Sequence, residues 1–399
     1  MAAAIRLDSS GRADVIVVLK NQMSPDREAR ANAVEDATVL NKHFTPVLGA
    51  ARETAPAAKL LPNLGIMIGQ IDAGGLAALR SHQMVEAVLP APVFTLIRAV
   101  ATEPQAPAPE ITWGLKQLGI PQLWDAGYTG RGIAVGHLDT GIDGAHPALA
   151  GAIKAFAEFD AAGNLVPDAP TTDSGDHGTH TAGTIAARTT AASTFGVAPG
   201  AQLISAKVIE GGQVTRRILA GMDWAIGEGI RILNMSVGVP GYDPSFLPIV
   251  QIVRSRDILP VFAIGNDGEG TSRSPGNYAE ALSVGALDPS MIVSAYSCSQ
   301  RFDRPVNPVV PDIVAPGAAV LSCIPGARYA KKYGTSQAAP HISGLAALLM
   351  EAKPSADIAA IEQAILAAST RPASISEDRG NHGVPFGPAA LASLTAAVG

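Results

Sequence analysis

The sequence predicts an α/β protein, in which a three-layer domain with a parallel sheet follows a small α+β domain of ferredoxin-like topology. Beyond residue 112, strand-like runs such as 132–138 alternate with helix-like runs such as 336–352. That alternation is typical of a parallel sheet with helices on both faces. Residues 101–110 contain three prolines and no periodicity, so they indicate an extended, exposed linker between the two domains.

The front segment has the element order βαββαβ, which favours a ferredoxin-like sandwich. Its runs, in chain order, are a strand at 14–19, a helix at 26–44, an extended stretch from Pro46, a strand at 64–71, a helix at 72–82 and strands around 84–90 and 93–100. We therefore predict a front domain over 12–100, a linker over 101–111 and a main domain over 112–399.

The composition narrows the classes of partner. The 399 residues are 47% hydrophobic and carry a net charge of −6, which argues against a nucleic-acid or anionic-membrane partner because both require a basic face. No apolar run reaches the 18 or so residues of a membrane span. Arg6 and Asp8 fall where a signal peptide needs its apolar segment. We expect a cytoplasmic protein, or else a secreted one whose signal was removed.

The two cysteines, Cys298 and Cys323, are too few for a disulfide framework or a four-ligand metal site. Free cysteines are commonly buried as small apolar residues, which is the interpretation we favour here. A single disulfide between them is the alternative.

Four polar residues stand at strand exits or helix starts of the predicted sheet. Asp139 follows a strand, His177 opens a helix, Asn266 ends a strand and Ser336 begins a long apolar helix. Each alone is compatible with an ordinary turn, a core histidine or a helix cap. Together they can converge at the carboxyl ends of the strands and supply an orienting carboxylate, a base, an oxyanion donor and a nucleophile for acyl transfer.

The chain order Asp, His, Ser is that of subtilisin. With the motifs "HLDTGIDGAHPAL", "HGTHTAGTIAA", "GVAPGAQLISAKV", "LNMSVG", "AIGND", "DIVAPG" and "GTSQAAPHISGLAALL", residues 112–399 resemble the catalytic domain of a subtilisin-like serine protease, a subtilase. The resemblance implies a serine endopeptidase in which Ser336 attacks, His177 is the base, Asp139 orients it, and Asn266 with the Ser336 amide holds the oxyanion. It also implies that Ser236, Val237 and Gly238 pair with an extended polypeptide substrate.

The front segment resembles the subtilisin propeptide in size, element order and position. In that family the propeptide is an intramolecular chaperone and inhibitor, so the resemblance implies a self-processing zymogen whose partner is its own front domain. The stretch "FTLIRAV" and the linker would then lie in the cleft like a substrate. We expect self-cleavage between Ile97 and Thr112.

The sequence departs from the usual subtilase pattern in several places. Where many relatives have calcium ligands, this chain has Ala148 and the run 188–195, which lack carboxylates and amides, so we expect no cofactor at that site. A calcium site elsewhere stays open. Gln337 stands where many relatives have Met. Asp173 and Asp176 are either solvated loop charges or a bias of one subsite toward basic residues.

Three rival interpretations compete with this one. His177 and His180 could be zinc ligands, but no third ligand or HExxH pattern accompanies them. Asp139-Thr140-Gly141 and Asp173-Ser174-Gly175 resemble the paired motifs of aspartic proteases, yet they are only 34 residues apart and a helix follows. The last alternative is a catalytically silent or permanently self-inhibited binding protein on the same fold.

Overall fold

A seven-stranded sheet is the centre of the computed structural model, which describes residues 4–24, 27–48, 54–55, 58–106, 109–189, 194–209 and 212–398. All neighbouring strands in this sheet are parallel. Across the sheet they are Ile153–Glu158, Gln202–Lys207, Ala134–Asp139, Ile232–Met235, Leu259–Ala263, Leu282–Leu287 and Ile313–Pro316. The predicted fold class is confirmed.

The order in which strands are added to the sheet reverses at the third strand, Ala134–Asp139. The chain enters at Ala134–Asp139, adds two strands on one side, and then returns to place Ile232–Met235 on the other side. In open α/β sheets such a switch point leaves a crevice at the carboxyl ends of the strands. Asp139 is the last residue of the strand at that point.

Helices cover both faces of the sheet. Thr335–Ala352 and His177–Ala186 share one apolar cluster with Val135, while Val214–Gly227 and Leu247–Ser255 share the other with Leu138. Alternate residues of a strand point to opposite faces, which is why both faces of these strands are apolar. The other α-helices of the described main domain are Trp113–Gln117, Ile120–Asp125, Ile358–Ala367, Glu377–Gly380 and Gly387–Val398.

The remaining elements of the main domain are short. Its 3-10 helices in the described ranges are Pro147–Leu149 and Pro244–Phe246. Its other strands are Val237–Pro240, Arg273–Ser274, Gln300–Arg301, Val309–Val310, Val320–Ile324, Arg328–Tyr333, Ser369–Thr370 and Val384–Pro385.

The front domain has a four-stranded antiparallel sheet. Its strands, across the sheet, are Ala58–Leu61, Ile66–Ile71, Ala13–Leu19 and Val85–Pro90, with the helices Arg27–Glu35 and Ala73–Ser81 and the short strands Val47–Leu48 and Thr54–Ala55. The four strands of this sheet and the two α-helices follow one another in the predicted βαββαβ order. The helical run predicted over 26–44 is an α-helix only to Glu35 and continues as the 3-10 helix Asp36–His43; Asp26 lies outside the described residues.

The front sheet docks on the main domain through one of its faces. Val15 and Val17 pack against the front domain's own helices, whereas Ile16 and Val18 share a cluster with helices of the main domain. At the edge of this contact, Asp223 accepts a hydrogen bond of 2.9 Å from the backbone N–H of Leu64. Burial raises the pKa of Asp223 to about 6.

The predicted linker is partly a strand. Residues Ala101–Pro104 are extended and exposed as expected, but they pair antiparallel with Arg328–Tyr333. An edge strand offers unpaired backbone groups to any extended segment. Because both faces of 101–104 are exposed, no apolar alternation marks this strand in the sequence. The strand predicted over 93–100 is reduced to Thr95–Leu96.

Both cysteines are buried and free, as the favoured interpretation predicted. Among the described residues, none of the helices has the length and apolar character needed to cross a membrane.

Candidate active site

Asp139 is fully buried at the switch point of the sheet. Burial alone would raise the pKa of its carboxyl, but the charge and hydrogen bond of His177 outweigh that effect and bring the pKa to about 2. The backbone N–H of Thr140 donates a further hydrogen bond of 2.7 Å to Oδ1. Asp139 is therefore ionised at any ordinary pH.

His177 opens the buried helix His177–Ala186 and faces Asp139. Its Nδ1 lies 2.8 Å from Oδ1 and 3.0 Å from Oδ2 of the carboxylate. An ionised carboxylate only accepts hydrogen bonds, so Nδ1 of His177 carries a proton, and in the uncharged form of the ring Nε2 is an acceptor. That Nε2 is buried and has no hydrogen-bond partner among the residues described. The pair thus presents an oriented, unoccupied base.

Asp173 fixes the loop that leads into this helix. Its carboxylate accepts hydrogen bonds from the backbone N–H and hydroxyl of Thr179, at 2.7 and 2.6 Å, and from the hydroxyl of Thr140 at 2.7 Å. Asp176 is paired with Lys332, whose side chain is buried. Both aspartates are thus held by internal partners that neither sequence interpretation foresaw.

Ser336 and Asn266 both lie close to Gly334. A Cβ placed on Gly334 would be 3.0 Å from Nδ2 of Asn266 and 3.1 Å from Oγ of Ser336, so only glycine leaves this space open. Oδ1 of Asn266 accepts hydrogen bonds of 2.9 Å from the N–H and the hydroxyl of Thr335. With its oxygen held in this way, the Asn266 amide directs its N–H groups toward the cleft.

The Ser336 hydroxyl donates to Oε1 of Gln337 at 3.1 Å. Within the described chain, no hydrogen bond joins Ser336 to His177, although the helices that carry them pack together. Nε2 of Gln337 is also buried and has no partner among the described residues. The proton of the Ser336 hydroxyl is therefore directed at the neighbouring amide.

Residues 95–104 run through this site as an extended chain. Thr95–Leu96 pair antiparallel with Val237 and Gly238, and the N–H of Ile97 donates to the carbonyl of Ser236 at 2.9 Å. The Arg98 carbonyl accepts a hydrogen bond of 2.8 Å from Nδ2 of Asn266. Beyond it, the N–H of Val100 donates to the Tyr333 carbonyl at 2.8 Å. The cleft is thus occupied on both sides of Ser336.

His137 is a site residue that the sequence reasoning missed. Its Nε2 lies 2.9 Å from the Thr181 hydroxyl, which donates to Oδ2 of Asp139 at 3.2 Å, and its Nδ1 lies 3.0 Å from the Ser205 hydroxyl. His137, Asp139 and Ser205 are fully buried inside the sheet, where no substrate reaches them. The signal was a second polar residue, in addition to Asp139, within the buried strand "AVGHLD".

His180 serves the structure of the helix pair. Its Nε2 is 3.0 Å from the Val320 carbonyl, and burial lowers the pKa of the ring well below its ordinary value, so the ring is neutral. Among described residues, no group of three or more His, Cys, Asp and Glu could hold a metal ion. Ala148 is buried, and residues 190–193 of the run 188–195 lie outside the described residues.

The sequence matches known proteins over most of the main domain. A family model described as the subtilase family matches residues 130–387. M-protease of Shouchella clausii (strain KSM-K16) is 38% identical over 251 residues, which are 62% of this chain and 62% of M-protease. Subtilisin Savinase of Lederbergia lenta is 38% identical over 62% of this chain and 87% of its own length. Subtilisin E of Bacillus subtilis (strain 168) is 34% identical over 62% of this chain and 63% of its own length. The match thus spans less than two thirds of M-protease and Subtilisin E.

Removing the Asp173 carboxylate should loosen the loop that carries His177. Asp173→Ala leaves the donors of Thr179 and Thr140 without their acceptor, and we expect a loss of about 2 to 4 kcal/mol in the free energy of unfolding. Urea denaturation measures this. Asp303→Ala, at an exposed carboxylate, is the matched control and should change stability by less than about 0.5 kcal/mol. Equal effects of the two substitutions would contradict the role given to Asp173.

Proposed function

The chain belongs to the subtilase family, and we propose that it is a serine endopeptidase that cuts peptide bonds through an acyl-enzyme on Ser336. One observation carries this proposal. An extended segment crosses the cleft with its Arg98 carbonyl bound by the Asn266 amide, and Nδ2 of that amide and the Ser336 hydroxyl both border Gly334. The helix that carries Ser336 packs on the helix that starts at His177, the partner of Asp139. This is the arrangement that an acyl-transfer site requires of a bound peptide.

The proposed reaction has two halves. Ser336 Oγ attacks the substrate carbonyl carbon while its proton passes to Nε2 of His177, and Asp139 stabilises the resulting imidazolium. The oxyanion accepts hydrogen bonds from the Asn266 amide and the Ser336 N–H. The C–N bond then breaks, and the leaving amine takes the proton from His177. Water repeats the sequence on the acyl-enzyme and restores Ser336.

The proposed substrates are extended polypeptides. Ser236, Val237 and Gly238 already pair with the segment 95–97 by main-chain hydrogen bonds, and this mode of binding gives affinity with little dependence on side chains. The Ser336 hydroxyl must first rotate away from Gln337 to reach His177. We include this rotation in the proposed cycle because Oγ donates to Gln337 in the structure.

We further propose that the front domain is the enzyme's own inhibitor and that the protein is a self-processing zymogen. The segment 95–104 fills the cleft as a substrate would, and Phe94 anchors it by packing edge-on against Phe246 at 4.9 Å. Because the Arg98 carbonyl is the one that Asn266 holds, Arg98–Ala99 is the bond we expect to be cut first. The cleaved front domain would stay bound until it is degraded.

A permanently self-inhibited binding protein is the second candidate. It is favoured by the occupied cleft and by the Ser336 proton directed at Gln337 instead of His177. This alternative predicts an intact chain with no turnover, so self-cleavage separates the two candidates.

Self-cleavage tests the proposed activity. Wild-type protein incubated after purification should yield a fragment whose N-terminus is Ala99, because the Arg98 carbonyl is already bound at the site. Ser336→Ala should remain full length. Denaturing gels and N-terminal sequencing provide the measurement. One full-length band in both samples would rule out self-processing.

The oxyanion donor has a separate test. Asn266→Ala should slow self-cleavage by a factor of about 10²–10³, which is the effect known for loss of the oxyanion-hole amide of subtilisin. Asn266→Asp keeps the acceptor that holds Thr335 but loses the N–H donor, so it should be slowed as well while its urea midpoint stays near that of wild type. Unchanged rates in both variants would remove Asn266 from the site.

Docking of the front sheet should depend on pH through Asp223. Burial raises the pKa of its carboxyl to about 6, so docking is favoured at low pH. The free energy of docking becomes less favourable by on the order of 3 kcal/mol as pH rises from about 4 through 6. In uncut Ser336→Ala protein, urea should therefore detach the front sheet at a lower concentration at pH 8 than at pH 4. Limited proteolysis at each urea concentration measures this.

The control for this pH dependence is Asp223→Asn, which keeps an acceptor for the Leu64 N–H but cannot ionise. Combined with Ser336→Ala, it should abolish the difference between the two pH values. A difference that persists in the double variant would exclude Asp223 as its cause.

A further inference from the structure

We propose that Arg273 makes the cleft select serine or threonine at the substrate position that Thr95 occupies, three residues before the carbonyl bound by Asn266. This inference rests on the proposed function, since it concerns which polypeptides the site accepts. Arg273 itself lies outside the reacting groups.

Arg273 reaches the bound segment from the far side of the substrate-pairing strand. The strands Arg273–Ser274 and Thr95–Leu96 flank Val237–Pro240 on opposite edges. A Cβ on Gly238 would lie 2.8 Å from Cβ of Arg273, and a Cβ on Gly265 would lie 3.0 Å from its Cγ. The aliphatic stem of Arg273 therefore uses the space that these two glycines leave open.

Asp267 holds the guanidinium in one orientation. Nη2 of Arg273 donates to Oδ1 at 2.9 Å, and Nε donates to Oδ2 of the same carboxylate. The hydrogen bond with Arg273 lowers the pKa of Asp267, and the same bond raises the pKa of Arg273, so both stay charged. Such a two-point pair fixes the plane of the guanidinium. The fixed plane directs Nη1 toward the segment in the cleft.

The Thr95 hydroxyl completes a chain of hydrogen bonds. Nη1 of Arg273 donates to Oγ1 of Thr95 at 3.1 Å, and Oγ1 donates to the Gly238 carbonyl at 3.1 Å. The side chain at this position thus has to accept a hydrogen bond from the guanidinium and donate one to the Gly238 carbonyl, and a hydroxyl group can do both. A carboxylate has no proton for Gly238, and a methyl group meets neither need. The geometry therefore favours Ser and Thr.

A pair of peptides isolates this hydroxyl. The peptide Phe-Thr-Leu-Ile-Arg-Ala-Val reproduces residues 94–100, and its Val counterpart replaces the Thr by a side chain of the same shape. Full-chain protein is incubated and then given each peptide, and cleavage at the Arg–Ala bond is followed by mass spectrometry. The ratio of the two kcat/KM values does not depend on what fraction of the enzyme has an open cleft. We expect the Thr peptide to be preferred about tenfold.

Arg273→Met keeps the packed stem and removes the guanidinium. The ratio should fall to about threefold or less, because only the bond to the Gly238 carbonyl is then left. Arg301→Ala is the matched control, since Arg301 also pairs with carboxylates, those of Glu377 and Asp378, but on the exposed surface. It should leave the ratio at its wild-type value.

The outcomes separate this inference from the proposed function. Equal cleavage of the two peptides by wild type, or an undiminished ratio in Arg273→Met, would overturn the role of Arg273 while leaving the peptidase in place. Cleavage of neither peptide, together with an intact chain, would overturn the proposed function and this inference with it.

Discussion

The hydrogen bond between His177 and the buried Asp139 is the interaction on which the rest of the site depends. A carboxylate at the end of a strand, with no exposed surface, is stable as an anion only because its partners offset the cost of burial. Those partners come from Thr140, the residue directly after the strand, and from the helix that starts at His177. The loop, the helix and the switch point of the sheet are thereby fixed relative to one another. The free Nε2 follows from this arrangement.

The second constraint is that the cleft is filled by the protein's own chain. Backbone groups of Ser236, Val237 and Tyr333 need partners along an edge, and residues 95–104 supply them on both sides of Ser336. The same main-chain pairing that would bind a substrate thus binds the front segment. In the proposed function, inhibition and substrate recognition are two uses of one surface, and the docked front sheet holds the segment there.

Much of this could be predicted from the sequence because it follows from position along strands. The parallel sheet follows from the alternation of apolar runs, and Asp139, His177, Asn266 and Ser336 stand out because polar residues end buried elements. The contacts that adjust the site could not be predicted in this way. The bond from Ser336 to Gln337 depends on side-chain rotation, and Arg273 reaches Thr95 only because distant segments meet across Gly238. The strand 101–104 lacks any apolar pattern because it is exposed on both faces.

Ser336, activated by His177, is the proposed reactive serine, and covalent labelling identifies that residue. The incubated full-length protein is treated with a serine-directed sulfonyl fluoride, and the modified residue is identified by peptide mass spectrometry. One adduct, on Ser336, is expected, and it should be absent in His177→Ala. An unlabelled wild-type protein, or an adduct on Ser205 beside His137, would contradict this assignment.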